Sequence, residues 1–224
     1  MDYISSASSD EFLVADFASG EYDRVPTFFV DILPRMLSNR PNRTIVYCTD
    51  IHALRLDSLM GKLEESGMLD NVRVVRAKLE EMDTNATLRP DMLAYLDERP
   101  SRMTALDHHL RLKEFYPAKT FDVGVLNNDI VGYLHEYYTE YSDAQKGLEK
   151  VYSVLKSGAI LVVTMPCSLY VVDNIQVIES LGFMFVEGID IKLSDGSIRH
   201  LERSADPRIM SRLGHYTFLI FVRE

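Results

Sequence analysis

Residues 11–22, E-F-L-V-A-D-F-A-S-G-E-Y, constrain the chain more than any other stretch. Phe12, Leu13, Val14 and Ala15 are apolar without alternation, the pattern of a strand covered on both faces, as in a parallel sheet. Asp16 stands at the carboxyl end of that strand, and Ala18, Ser19 and Gly20 keep side chains small where the backbone must turn. Gly20 can take a positive φ at little cost. Ligands of open α/β sheets bind outside the carboxyl ends of the strands, so this turn is where a cofactor is to be sought.

The rest of the chain repeats that design. Residues 44–49, T-I-V-Y-C-T, form a second buried strand ending at Asp50, and residues 72–77 a third. Residues 121–126 make a fourth, ending in Asn127, Asn128 and Asp129, and residues 159–165, A-I-L-V-V-T-M, a fifth stopped by Pro166. Residues 183–191 and 215–223 read as two more. Helical spacing places helices over 26–37, 54–67, 130–141, 143–155 and 175–181, with Pro34 kinking the first and residues 156–158 capping the fourth. Five βα units followed by a strand pair imply a doubly wound, mostly parallel seven-stranded α/β sheet. Its C-terminal strand pair is antiparallel, and helices lie on both faces.

A chain of 224 residues supports one core, here a single domain over 1–224. Two segments break the alternation. Residues 84–120, with Pro90, Pro100 and Pro117, are the candidate lid insertion, since long connections in compact domains are usually lids or disordered segments. Residues 192–214, carrying Arg199, His200, Arg203, Arg208 and Arg212, form a loop insertion that either meets an anionic acceptor or is simply a solvated loop.

A net charge of −10 argues against binding the nucleic-acid backbone, and the apolar runs fall short of a membrane span. The N-terminus lacks the basic and apolar regions of a secretory signal. Cys48 and Cys167 both lie in strand-like runs and read as buried thiols of a reduced, cytoplasmic protein.

The order of elements resembles the class I S-adenosylmethionine-dependent methyltransferases from Phe12 to the end of the chain. V-A-D-F-A-S-G-E-Y resembles the family's first strand and glycine-rich loop, with Asp16 and Gly20 matching and with Ala18 and Tyr22 in place of the first and third glycines. The bulky ring of Tyr22 at that turn would crowd the cofactor. Asp50, in Y-C-T-D-I-H, matches the family's ribose-binding carboxylate, and Ile51 would lie against the adenine. Vicinal hydroxyls call for an acceptor-only group there. A simpler role for Asp50 is to cap the following helix.

Lys78 stands where the family often has an acid near the adenine amine, so the resemblance leaves adenine to backbone groups, Ile51 and Leu79. Asn127 matches the position whose backbone faces the cofactor. F-D-V-G-V-L-N-N and G-L-E-K-V-Y-S-V-L-K-S-G-A-I-L-V-V resemble the family's fourth strand, fifth helix and fifth strand.

The resemblance implies S-adenosylmethionine as cofactor and methyl transfer to a small-molecule acceptor. The alternative is a methyltransferase-like binding or regulatory subunit without catalysis. If the acceptor must lose a proton, His135, His108 and His109 are the candidate bases, since imidazole titrates near neutrality. The pair His108–His109 lacks the ligand spacing of a metal site, so no metal is expected. Tyr133, Tyr137, Tyr138 and Tyr141 would line an acceptor pocket or pack a helix face. Association into a homo-oligomer is left open.

Overall fold

The computed structural model of the chain describes residues 11–37, 43–76, 79, 121–128, 131, 141–166, 171–201 and 214–224. Lys78, His108, His109, His135, Cys167, the expected lid at 84–120 and residues 202–213 lie outside them.

The described residues hold eight strands in one sheet. They are β1 (Glu11–Phe17), β2 (Arg43–Asp50), β3 (Val72–Arg76), β4 (Phe121–Leu126), β5 (Leu155–Met165), β6 (Phe183–Lys192), β7 (Ile198–Leu201) and β8 (His215–Arg223). Their order is β3-β2-β1-β4-β5-β8-β6-β7. The first five are parallel, and β6, β7 and β8 pair antiparallel. β1 sits between β2 and β4, with Asp16 opposite Cys48 on one side and Val125 on the other. The chain moves outward from β1 to β3 and returns to β4, so the strand order reverses beside β1.

One face of the sheet is covered by α1 (Arg24–Thr27), a π turn (Phe28–Ile32), α2 (Leu33–Met36) and α3 (Ala53–Glu65). Phe29, Leu33, Leu59 and Leu63 bury there against Val14, Val46 and Val74. The other face takes α4 (Tyr141–Val154) and α5 (Val171–Ser180), with Leu148, Val151 and Ile178 against Phe17, Leu161 and Phe221. β1, β2 and β4 contribute to both clusters, which is why their sequences do not alternate.

Three local features depart from the expected elements. Pro34 sits at the start of α2. The turn ahead of it widens to a π turn in which the Leu33 N–H reaches the Phe28 carbonyl, leaving room for a residue with no N–H. Residues 156–158 are not a helix cap but a bulge at the start of β5: Leu155 pairs with Phe121 and Ile160 with Val123, and Gly158 has φ +76°.

The third departure is that the sheet has eight strands rather than seven, because residues 198–201, expected in a loop, pair with β6. Leu201 is buried opposite Gly188, and Arg199 meets Asp190 across the pair. Gly188 supplies the space: a Cβ there would lie 2.8 Å from the Leu201 Cβ. Gly188→Ala should therefore cost about 1–3 kcal/mol by overpacking. Urea unfolding of the variant checks this, and an unchanged midpoint would count against the close approach of β6 and β7.

Candidate cofactor site

The strand-order reversal beside β1 puts three strand tips together: Asp16 and the turn after β1, Asp50 at the end of β2, and Asn127 after β4. A crevice at such a reversal is where α/β sheets take ligands. Ser19 closes onto β2, its N–H donating to the Thr49 carbonyl at 2.7 Å and its hydroxyl to the same oxygen at 3.2 Å. The Thr49 hydroxyl donates back to the Asp16 carbonyl at 3.4 Å.

Asp50 is buried and bridges both segments. Its Oδ2 accepts the Gly20 N–H at 2.9 Å and its Oδ1 the His52 N–H at 2.7 Å. The second bond closes an Asx turn just ahead of α3, whose N-cap is His52 without a side-chain cap bond, so Asp50 is not the N-cap of that helix. Each oxygen retains a further lone pair.

Between these anchors the backbone is left-handed at Ala18 (φ 55°) and Gly20 (φ 63°). Glycine accepts this freely, whereas alanine is held there against crowding of its Cβ, at about 1–2 kcal/mol. The Tyr22 ring packs against the turn. It lies beside Gly20, is 44% exposed, and has the Arg24 guanidinium and the Lys62 ammonium 5.3 and 5.8 Å from its centroid.

Four aspartates are buried among the described residues, and three have strong donors. Asp122 accepts the Leu13 N–H at 2.9 Å and pairs with the Lys156 ammonium at 2.7 Å. Asp190 meets Arg199, His215 and Thr217. Asp50 takes two backbone N–H groups. Asp16 alone differs: its Oδ1 has no partner among the described residues, and its Oδ2 has only the Cys48 thiol at 4.0 Å. Burial, and then the nearby charge of Asp50, push the Asp16 carboxyl well above the usual carboxylate range. Burial and Asp16 likewise push the Cys48 thiol up.

At the tip of β4, Asn128 is also left-handed, at φ 60°. Its N–H donates to the Thr164 hydroxyl at 3.0 Å, and that hydroxyl donates to Asn127 Oδ1 at 2.5 Å. The Tyr216 hydroxyl lies 3.2 Å from Asn127 Oδ1, 3.1 Å from Asn128 Oδ1 and 2.9 Å from Thr164 Oγ1.

Of the residues expected at the site, the structure brings together Asp16, Ala18, Gly20 and Asp50, with Asn127 on the neighbouring tip. Ile51 follows Asp50, half-buried, and Leu79 is buried as part of the core cluster that also includes Tyr47 and Val75. Ser19, Thr49, Asn128, Thr164 and Tyr216 were missed as partners. Thr164 and Tyr216 carried no signal except their places near strand ends.

The Asp16–Asp50 pair predicts a pH effect. Native Asp16 keeps its proton to higher pH than the unfolded chain, where an aspartate titrates near about 3.9. The native state then binds more protons, so stability falls as pH rises above that value toward the native pKa. Asp16→Asn should remove this loss and gain stability over wild type as pH rises from 5 to 8. Urea unfolding across that range checks it, and parallel pH profiles would show that Asp16 ionises normally.

No protein-family model matches the sequence, and no curated protein does. Solved structures do match in fold. A SAM-dependent methyltransferase from Aquifex aeolicus is 14% identical with a TM-score of 0.52, over 95% of this chain and 82% of that one. The YcgJ protein from Bacillus subtilis is 11% identical with a TM-score of 0.53, over 100% and 96%. The cyclase SpnF is 12% identical with a TM-score of 0.56, over 95% and 75%. Identities this low speak to architecture, and the chain has the fold of the class I S-adenosylmethionine-dependent methyltransferases.

Proposed function

We propose that this chain binds S-adenosylmethionine in the crevice between β1, β2 and β4 and transfers its methyl group to a small-molecule acceptor. The observation that carries the reading is the buried Asp16, whose Oδ1 lacks a donor beside a second carboxylate. A ligand bearing positive charge supplies what that pair lacks, and S-adenosylmethionine carries both an ammonium and a sulfonium. When bound, it contributes a methyl group already activated by its positive sulfur.

The chain's own residues would bind and orient. Asp50 has lone pairs left for the ribose hydroxyls, and Ala18 and Gly20 keep the turn small enough for close approach. Ile51 and Leu79 would serve the adenine, with Lys78 contributing its backbone, and the backbone of Asn127 would face the cofactor from β4. In-line displacement needs above all a positioned nucleophile. Where the acceptor must lose a proton, His135, His108 and His109 are the candidate acceptors of it.

No helix among the described residues is long and apolar enough to cross a membrane. A cytoplasmic setting, a small-molecule partner rather than nucleic acid, and self-association as the open oligomeric question complete the proposal. A second reading, a methyltransferase-like binding or regulatory subunit, draws support from Asp50, both of whose oxygens already hold backbone N–H groups.

Titration calorimetry with S-adenosylmethionine and S-adenosylhomocysteine separates the two readings. The enzyme reading expects both to bind, and expects Asp50→Ala to weaken them at least about tenfold, or 1.4 kcal/mol. Clean absence of binding to folded wild-type protein would favour the non-catalytic reading, and unchanged affinity in the variant would remove Asp50 from the site.

A further inference from the structure

We infer that Tyr216 is a positioning residue of the crevice, its hydroxyl holding the Asn127–Asn128 tip of β4 in the left-handed turn that forms one wall of the ligand site. This rests on the S-adenosylmethionine reading above and assigns a residue to it from outside the β1, β2 and β4 tips.

The tip needs holding. Asn128 is one of two non-glycine residues at positive φ among the described residues, and the other, Ala18, lies in the turn across the same crevice. A side chain stays in that region only where its surroundings fix it. The fixing groups are two, the hydroxyls of Thr164 and Tyr216. The Asn128 N–H is taken by Thr164 Oγ1, the Thr164 hydroxyl reaches Asn127 Oδ1, and the Tyr216 hydroxyl lies within 3.2 Å of both amide oxygens. Thr164 is buried at the end of β5 and reaches one amide oxygen, Asn127's. Tyr216 is the group that reaches both.

Topology explains how. β8 runs antiparallel to β5, and their register ends with Met165 opposite Thr217. Tyr216 is one residue further along, at the carboxyl edge of the parallel strands, where it pairs only with Ile191 of β6. With no β5 residue opposite it, its ring can lie across the end of β5 toward β4, 88 residues away in sequence. The ring itself packs beside Phe218, with centroids 5.2 Å apart, so a phenylalanine would keep the packing and lose only the hydroxyl.

The test compares S-adenosylhomocysteine affinity in wild type, Tyr216→Phe and the double variant Tyr216→Phe/Asn128→Gly. We expect Tyr216→Phe to weaken binding about five- to tenfold, to shift the Asn127 and Asn128 amide signals in 1H–15N spectra, and to move Tm by less than about 2 °C. Glycine adopts positive φ without a Cβ penalty, so the double variant should recover most of the lost affinity, which a merely structural tyrosine would not allow. Wild-type affinity in Tyr216→Phe, failure of glycine to restore it, or a Tm fall beyond about 5 °C each overturns the inference. If wild type takes up no S-adenosylhomocysteine, the cofactor reading falls instead, and unmoved Asn128 signals in Tyr216→Phe would still overturn the clamp.

Discussion

One carboxylate holds the crevice together. Asp50 accepts an N–H from the turn after β1 and another from the start of α3, which joins segments 30 residues apart through a buried, charge-assisted contact. The Ser19 N–H, bonded to the Thr49 carbonyl, adds a second tie between the same strand ends. With the turn fixed at both points, Ala18 is kept in a conformation it would not choose. Its strain is a consequence of the bridge and is distributed over a parallel sheet buried on both faces.

The same bridge creates an electrostatic conflict. Asp50 has its hydrogen bonds, but its charge lies close to Asp16, which has almost none. The sheet contains its own control: Asp122 and Asp190 are buried to a similar degree and each has a cationic partner. A chain able to pair those two could have paired Asp16. Local rules are broken most often where a site requires it, and here the breach sits at the strand-order reversal. The fold by itself would not carry that argument, since one architecture hosts many chemistries. Among the structures this chain resembles, one is a cyclase and another a methyltransferase.

Much of the architecture was legible in residues. Mostly apolar runs ending in Asp16, Asp50 and Asn127 located the three tips, because a strand buried on both faces carries few polar residues to hide its limits. The turn was legible for a similar reason, since Ala18, Ser19 and Gly20 are three small residues in a row. Where the reading failed, a distant partner decided the outcome. Residues 198–201 look like a polar loop, and they pair because Gly188 leaves a hollow that Leu201 fills.

The sequence by itself determined the alternation of strands and helices, the mostly parallel sheet and the carboxylates at its edge, since these follow from periodicity and from which residues tolerate a turn. Tertiary structure alone decided which donors each carboxylate meets, that β7 joins the sheet, and that Tyr216 spans the end of β5 to touch β4. Hydrogen bonds between residues 30 to 89 positions apart leave no periodic trace in the chain, because their geometry exists only once the strands have been laid side by side.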